Sequence, residues 1–221
     1  MLKLSNICVR DTLKCLDLTV TAGERVLVVG GNGAGKSTLF GVISGRIKPD
    51  QGNIVVDGQD MTMVPECKRT NLISSVLQDM KSGTIEEMTI LENIKLAYIR
   101  TGGRRVSKED IDTFKTKLSI FGMGLENRPY EYVRNLSGGE RQALSIVMAT
   151  SADYKLLLLD EVTSALSQKV SDLVMRSIGD IIAMERKTCL MITHEERYMH
   201  TFGDRTLEMN NGVLCEIPRS S

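Results

Sequence analysis

The octapeptide Gly30-Gly31-Asn32-Gly33-Ala34-Gly35-Lys36-Ser37 constrains the fold more than any other part of the chain. It follows the apolar run Val26-Leu27-Val28-Val29 and precedes Thr38-Leu39-Phe40-Gly41-Val42-Ile43, which reads as a helix. A strand, a glycine turn and a helix in that order make a phosphate cradle. Glycines let successive backbone N–H groups face phosphate oxygens, and the helix adds the positive end of its dipole. Lys36 then reaches the β- and γ-phosphates, and Ser37 sets its hydroxyl on the Mg²⁺ that bridges them. The pattern requires an α/β core and implies a nucleoside triphosphate as ligand.

Charge and size exclude several other classes. The chain has 221 residues, 42% of them hydrophobic, enough for a large core without a covalent staple. Its 28 Lys and Arg balance 28 Asp and Glu, so no net field selects DNA, RNA or an acidic membrane as the main partner. The pairs Lys68-Arg69 and Arg104-Arg105 read as solvated loop charge. Five cysteines, Cys8, Cys15, Cys67, Cys189 and Cys215, lack metal-ligand spacing and read as buried thiols in a reducing compartment. The start of the chain lacks the apolar segment of a signal peptide, and no run approaches the length of a membrane span. A cytoplasmic chain that meets a membrane only through a partner is expected.

The hydrophobic pattern predicts a mixed β layer first. Leu2-Lys3-Leu4 and Leu16-Asp17-Leu18-Thr19-Val20 alternate as half-buried antiparallel strands do, and Asn53-Ile54-Val55-Val56 and residues 72–77 read as further strands. Helices are predicted over 90–100, 108–121 and 139–149, the middle one with Ile111, Phe114, Leu118 and Phe121 on one face and a Ser107/Asp110 capping box. Residues 80–150 thus form a helical insert in a single α/β domain made of 1–79 and 151–221. The run Leu156-Leu157-Leu158-Leu159 suits a strand buried on both faces of a parallel sheet, with Asp160 at its carboxyl end. A helix over 170–184, a strand over 188–193, a short helix over 195–202 and two strands around Asn210-Asn211-Gly212 complete the chain.

Two further motifs carry chemistry. Asp160 and Glu161 point to opposite sides after the leucine strand; the first can hold Mg²⁺ and the second can accept the proton of an attacking water. Leu136-Ser137-Gly138-Gly139-Glu140 opens a helix with a serine and two glycines, a second anion site. This turn resembles the signature sequence of ATP-binding-cassette (ABC) ATPases, at the distance from Asp160 that the family shows. The resemblance covers essentially the whole chain. It implies a P-loop NTPase fold of ABC ATPase type, with a RecA-like core, an antiparallel β subdomain and an inserted helical subdomain. It also implies that two subunits sandwich ATP and Mg²⁺, the signature of one covering the γ-phosphate on the loop of the other. On that basis residues 30–38, Gln78 and Ser137, Gly138, Gly139 and Glu140 contact ATP. Ser37, Gln78 and Asp160 hold the metal, and Lys36, Glu161 and His194 are catalytic. Gln78 resembles the glutamine that links site and membrane partner, and His194 resembles the histidine that orients Glu161 and the water. His200 has no such placement and reads as structural.

The chain departs from the family pattern twice. No aromatic residue precedes Phe40, so Ile7 and Val9 are expected to support the base in place of a stacking ring. Ser167 stands where an aspartate usually joins the two subunits, and it weakens coupling between their sites. Residues 83–93 and 141–150 look like the ATPase subunits of bacterial importers that use a lipoprotein-type binding protein, including a tryptophan-type system. Lipoprotein-release and macrolide-export ATPases, or a soluble iron–sulfur assembly ATPase, are the alternatives. The implied partners are transmembrane permease subunits on the inner face of the cell membrane, a second copy of the chain and a substrate-binding lipoprotein, with no nucleic acid.

Overall fold

The computed structural model describes residues 1–76, 83–100, 106–151, 153–199 and 201–218. Gln78, His200 and the pair Arg104-Arg105 lie outside the described residues. In chain order the first elements are β1 (Leu2–Val9), β2 (Leu13–Val20), β3 (Arg25–Val29), α1 (Lys36–Ser44), β4 (Gln51–Val56), β5 (Gln59–Asp60), α2 (Glu66–Arg69) and β6 (Ile73–Val76). There follow α3 (Ile90–Arg100), α4 (Lys108–Ile120), α5 (Gly138–Ala149), β7 (Leu156–Asp160), α6 (Gln168–Glu185), β8 (Thr188–Ile192), β9 (Arg205–Asn210) and β10 (Val213–Ile217). They form two compact units, one of Met1–Ser75, Tyr154–Glu161 and Arg186–Ser221, the other of Val76–Asp153 and Val162–Glu185.

The first unit holds two sheets. An antiparallel sheet runs β2-β1-β4-β5, with Leu2 opposite both Val20 and Val56 and Leu4 opposite both Leu18 and Ile54. Alternation puts Leu2 and Leu4 inside. The register then shifts between Leu4 and Ile7, where Asn6 takes a φ of 53°, and this bulge turns Ile7 inward as well. The second sheet runs β10-β9-β3-β8-β7-β6, with β3 parallel to β8 and β9, and β7 parallel to β8. Leu156, Leu158, Leu190 and Ile192 share one core with Leu39, Phe40, Val42 and Ile43 of α1 and with the inner face of the antiparallel sheet. Asn211-Gly212, both at positive φ, close the β9–β10 hairpin.

Three expectations about this unit are corrected. The helix expected over 195–202 is a single 3₁₀ turn, Glu196–Tyr198, because the chain has to begin β9 beside β3, where the Asp204 N–H already donates to the Arg25 carbonyl. Of the cysteines only Cys189 is a buried thiol. Cys8 and Cys15 lie opposite each other on the outer face of the β1–β2 hairpin in a disulfide, and Cys67 and Cys215 are exposed. Arg69 is not a solvated loop charge but 2% exposed. Its Nη1 donates to the Val42 and Ile43 carbonyls at 3.0 and 2.7 Å, and its Nε to that of Val64 at 2.7 Å. Arg69 therefore serves the C-terminal carbonyls of α1, adding to the Gly45 N–H at Val42 and supplying a donor at Ile43.

The second unit is built from α3, α4, α5 and α6. Ser107 and Asp110 form the expected reciprocal cap of α4, whose Phe114 and Leu118 are buried, as is Phe121 just beyond it. Helix α6 packs on α4 and α5, so residues 162–185 associate with the helices, whereas the sequence placed them in the core. Lys117 of α4 fastens this packing, donating to the Thr150 carbonyl and pairing with Glu185 at the end of α6. Among the described residues, no helix is long and apolar enough to cross a membrane.

Candidate active site

The carboxyl ends of β3, β7 and β8 bring together Lys36, Asp160, Glu161 and His194 of the first unit. After β3 the chain enters the glycine turn. Gly30 has a φ of 144° and lies directly against the Met209 carbonyl, where no side chain fits. Gly35, at φ 110°, leaves the Thr12 carbonyl only 2.8 Å from where a Cβ would sit. The turn is held from behind: the Gly212 N–H donates to the Ala34 carbonyl at 2.9 Å, and the Lys14 N–H donates to that of Gly212 at 2.9 Å. In front, Gly31 and Gly33 face open space, Asn32 and Ser37 are exposed, and Thr38 is half-buried. Lys36, itself buried, curls over the turn, its Nζ donating to the Gly30 and Gly31 carbonyls at 2.8 and 3.0 Å.

Asp160 ends β7, and Glu161 follows in the left-handed region at φ 50°, pinned by its N–H to the Ile192 carbonyl at 3.0 Å. That conformation is uncommon for a side-chain-bearing residue. It lets two consecutive carboxylates leave the strand in different directions. His194, just past β8, meets Glu161 through Nε2 and Oε1. The two side chains are thus in direct contact.

The charges are coupled. Burial pushes the Asp160 carboxyl above its ordinary range, and the neighbouring Glu161 adds to this, against the pull of Arg46, Lys36 and His194. Burial likewise pushes the Lys36 ammonium down, opposed by Glu161 and Asp160. A cation between these groups and a triphosphate relieves the carboxylate repulsion. The fit is that of Mg²⁺, which binds through one or two carboxylates plus phosphate oxygens and needs no all-protein cage. The described residues contain no cluster of three or more His, Cys, Asp or Glu side chains able to hold a metal.

The signature turn lies in the second unit. Ser137 caps α5, its Oγ and N–H both donating to Glu140 Oε2 at 2.7 and 2.8 Å, while the Glu140 N–H returns to Ser137 Oγ at 3.4 Å. Glu140, expected to contact ATP, is thus engaged by its own helix start and also by Arg128. Gly138 and Gly139 form the first turn of α5. Ile7, expected to support the base, is sealed in the core and unavailable to it; Val9 is only partly buried. Ser167 precedes α6, and its carbonyl accepts the Ser171 N–H at 2.9 Å. Sequence reasoning missed Arg46, Arg128 and the backing of the glycine turn by Thr12 and Gly212. None belongs to a spaced motif, and only tertiary contacts reveal them.

The ABC transporter family profile matches residues 13–164. A tyrosine transport ATP-binding protein of Clostridioides difficile is 38% identical over 204 residues, spanning 90% of this chain and 80% of that protein. A methionine import ATP-binding protein of Enterococcus faecalis is 32% identical over 207 residues, 92% of this chain but 58% of its own length. Among solved structures, a dimeric post-hydrolysis ATP-binding cassette bound to ADP and Pi matches with a TM-score of 0.82 at 26% identity, both chains being covered in full. CbiO1 of Clostridium perfringens matches at 0.85 and 22% identity over 97% of this chain and 86% of its own, a likeness of fold.

Proposed function

This chain belongs to the ABC transporter ATP-binding family and is an ATPase with the family's α/β P-loop fold, and from that premise we propose that it drives amino-acid import as half of an ATP-sandwich dimer docked on a membrane permease. One observation carries the chemical part of this reading: Lys36, Asp160, Glu161 and His194 converge at the carboxyl ends of adjacent parallel strands, where open α/β sheets bind ligands. The names of the tyrosine transport and methionine import relatives support the amino-acid class, and the latter supports import. The dimeric cassette supports the paired arrangement.

In this mechanism the Gly30–Ser37 backbone grips the phosphates, and Lys36 exchanges its carbonyl partners for phosphate oxygens. The Ser37 hydroxyl and the Asp160 carboxylate would hold Mg²⁺, which would supply positive charge to the phosphates. Glu161 accepts the proton of the attacking water, and His194 fixes the direction of that carboxylate. Ser137, Gly138 and Gly139 of the partner copy close over the γ-phosphate. Gln78, assigned by resemblance, would help hold the metal and pass closure to the permease, with a substrate-binding lipoprotein delivering the cargo outside. The chain sits on the inner face of the membrane through that permease. Closure on two nucleotides and reopening after hydrolysis supply the two states that alternating access needs.

The test is E161Q. The variant is expected to bind ATP as the parent does and to lose phosphate release by about 10²–10⁴-fold. Release at the parent rate would overturn the assignment of Glu161.

A further inference from the structure

The start of α5 contains an electrostatic conflict. Its N-terminal turn carries a partial positive charge of about half a unit, the physical basis for attracting a phosphate. Glu140 brings a full negative charge into that same turn, and its Oε2 accepts both Ser137 donors. Left alone, this carboxylate would outweigh the dipole and repel the anion that the turn is meant to cap. Burial works against ionisation of Glu140, yet the bonds from Arg128 and Ser137 outweigh it and hold the carboxyl below its ordinary range. It is therefore charged at neutral pH and needs a counter-charge.

Arg128 supplies one. Its Nη2 meets Glu140 Oε1, the carboxylate oxygen that Ser137 does not use, and also donates to the Met123 carbonyl at 3.1 Å. Its Nη1 pairs with Glu131 Oε2 at 3.1 Å, which fixes the guanidinium plane from the other nitrogen. The fork thus holds Glu140 in one orientation, with one oxygen on the arginine and one on the serine.

We propose that Arg128 is a positioning residue for the signature turn: its charge, shared between Glu140 and Glu131, offsets part of that of Glu140, and its fork keeps that carboxylate turned onto Ser137, so that the start of α5 remains attractive to the terminal phosphate of an ATP held by a second copy. This rests on the dimer reading above. When the phosphate arrives, the Ser137 hydroxyl has to release Glu140 in order to donate to it. Arg128 then keeps the abandoned carboxylate compensated.

The experiment measures ATP-dependent dimerisation by sedimentation in the E161Q background. R128M, which keeps the stem but removes the charge, is expected to weaken the dimer about tenfold, and more at low salt than at high salt. R128K, which keeps the charge, is expected to stay within about threefold of the parent. The decisive variant is R128M with E140Q: with no carboxylate left in the first turn of α5, dimerisation returns to within about threefold of E140Q alone. Dimerisation of R128M equal to the parent would overturn the proposal. So would a loss that E140Q leaves undiminished, since Arg128 would then merely support the local fold. S137R separates the two levels: if it dimerises normally, the partner-site reading fails and Arg128 falls with it. If S137R abolishes the dimer while R128M is silent, only the role of Arg128 is refuted.

Discussion

Replacing Arg69 by methionine tests how the phosphate-binding helix is anchored. The guanidinium makes three bonds to the Val42, Ile43 and Val64 carbonyls at 2.7–3.0 Å. Charge-assisted bonds are worth about 1.5–3 kcal/mol each. Against that gross gain stands desolvation by burial, which pushes the Arg69 pKa down. Methionine fills most of the stem volume and avoids the desolvation, but it leaves the Ile43 and Val64 carbonyls short of a donor. The net loss is expected to be about 3 kcal/mol. In a chain of this length that corresponds to a fall in Tm of about 6–12 °C. R69K keeps the charge but replaces the planar fork by one ammonium, so about half the loss is expected. Urea unfolding followed by circular dichroism reads the effect. An unchanged urea midpoint for R69M would refute the claim that Arg69 completes α1.

Two other substitutions separate stability from turnover. Asp160 is pushed up by burial and by Glu161, so its ionised form is disfavoured in the folded chain. Its cost is present at neutral pH and vanishes as pH falls through the folded value. D160N should therefore raise the Tm of the nucleotide-free protein by about 2–4 °C at pH 7.5, with the gain shrinking in acid, while Mg²⁺-dependent hydrolysis is lost; a lower Tm at pH 7.5 would contradict this. K117M removes one side of a buried pair and a bond to the Thr150 carbonyl. It should cost about 3–5 kcal/mol in urea unfolding, and a loss below about 1 kcal/mol would show that α4, α5 and α6 do not depend on it.

Local patterning made most of the elements legible. The bounds of α3 and the cap of α4 are written in residues 90–100 and in Ser107/Asp110, because helix period and capping are short-range properties. The four leucines of β7 announce a strand buried on both faces. What stayed hidden depends on tertiary partners. Arg69 looks like any exposed basic residue until the carbonyls of α1 close around it. Ile7 is turned inward by a bulge at Asn6 that breaks simple alternation. Cys8 and Cys15 are seven residues apart and meet only because the hairpin register sets them opposite one another. In the site, the glycine turn and the Asp160-Glu161 pair were readable because their spacing is their chemistry. Arg128 was not, since its relation to Glu140 is spatial.

The central claim is that each ATP is shared between two copies, and mixing two defective variants tests it most directly. K36A lacks the phosphate-loop lysine, and S137R blocks the signature turn; each alone should be inactive. A mixed dimer has one site with both defects and one with neither. An equal mixture should therefore recover roughly a quarter of the parent ATPase rate, half the dimers being mixed and each having one sound site of two. The weakened coupling expected from Ser167 favours turnover at that single site. No recovery on mixing, with mixed dimers demonstrated in solution, would mean that loop and signature do not meet across the pair.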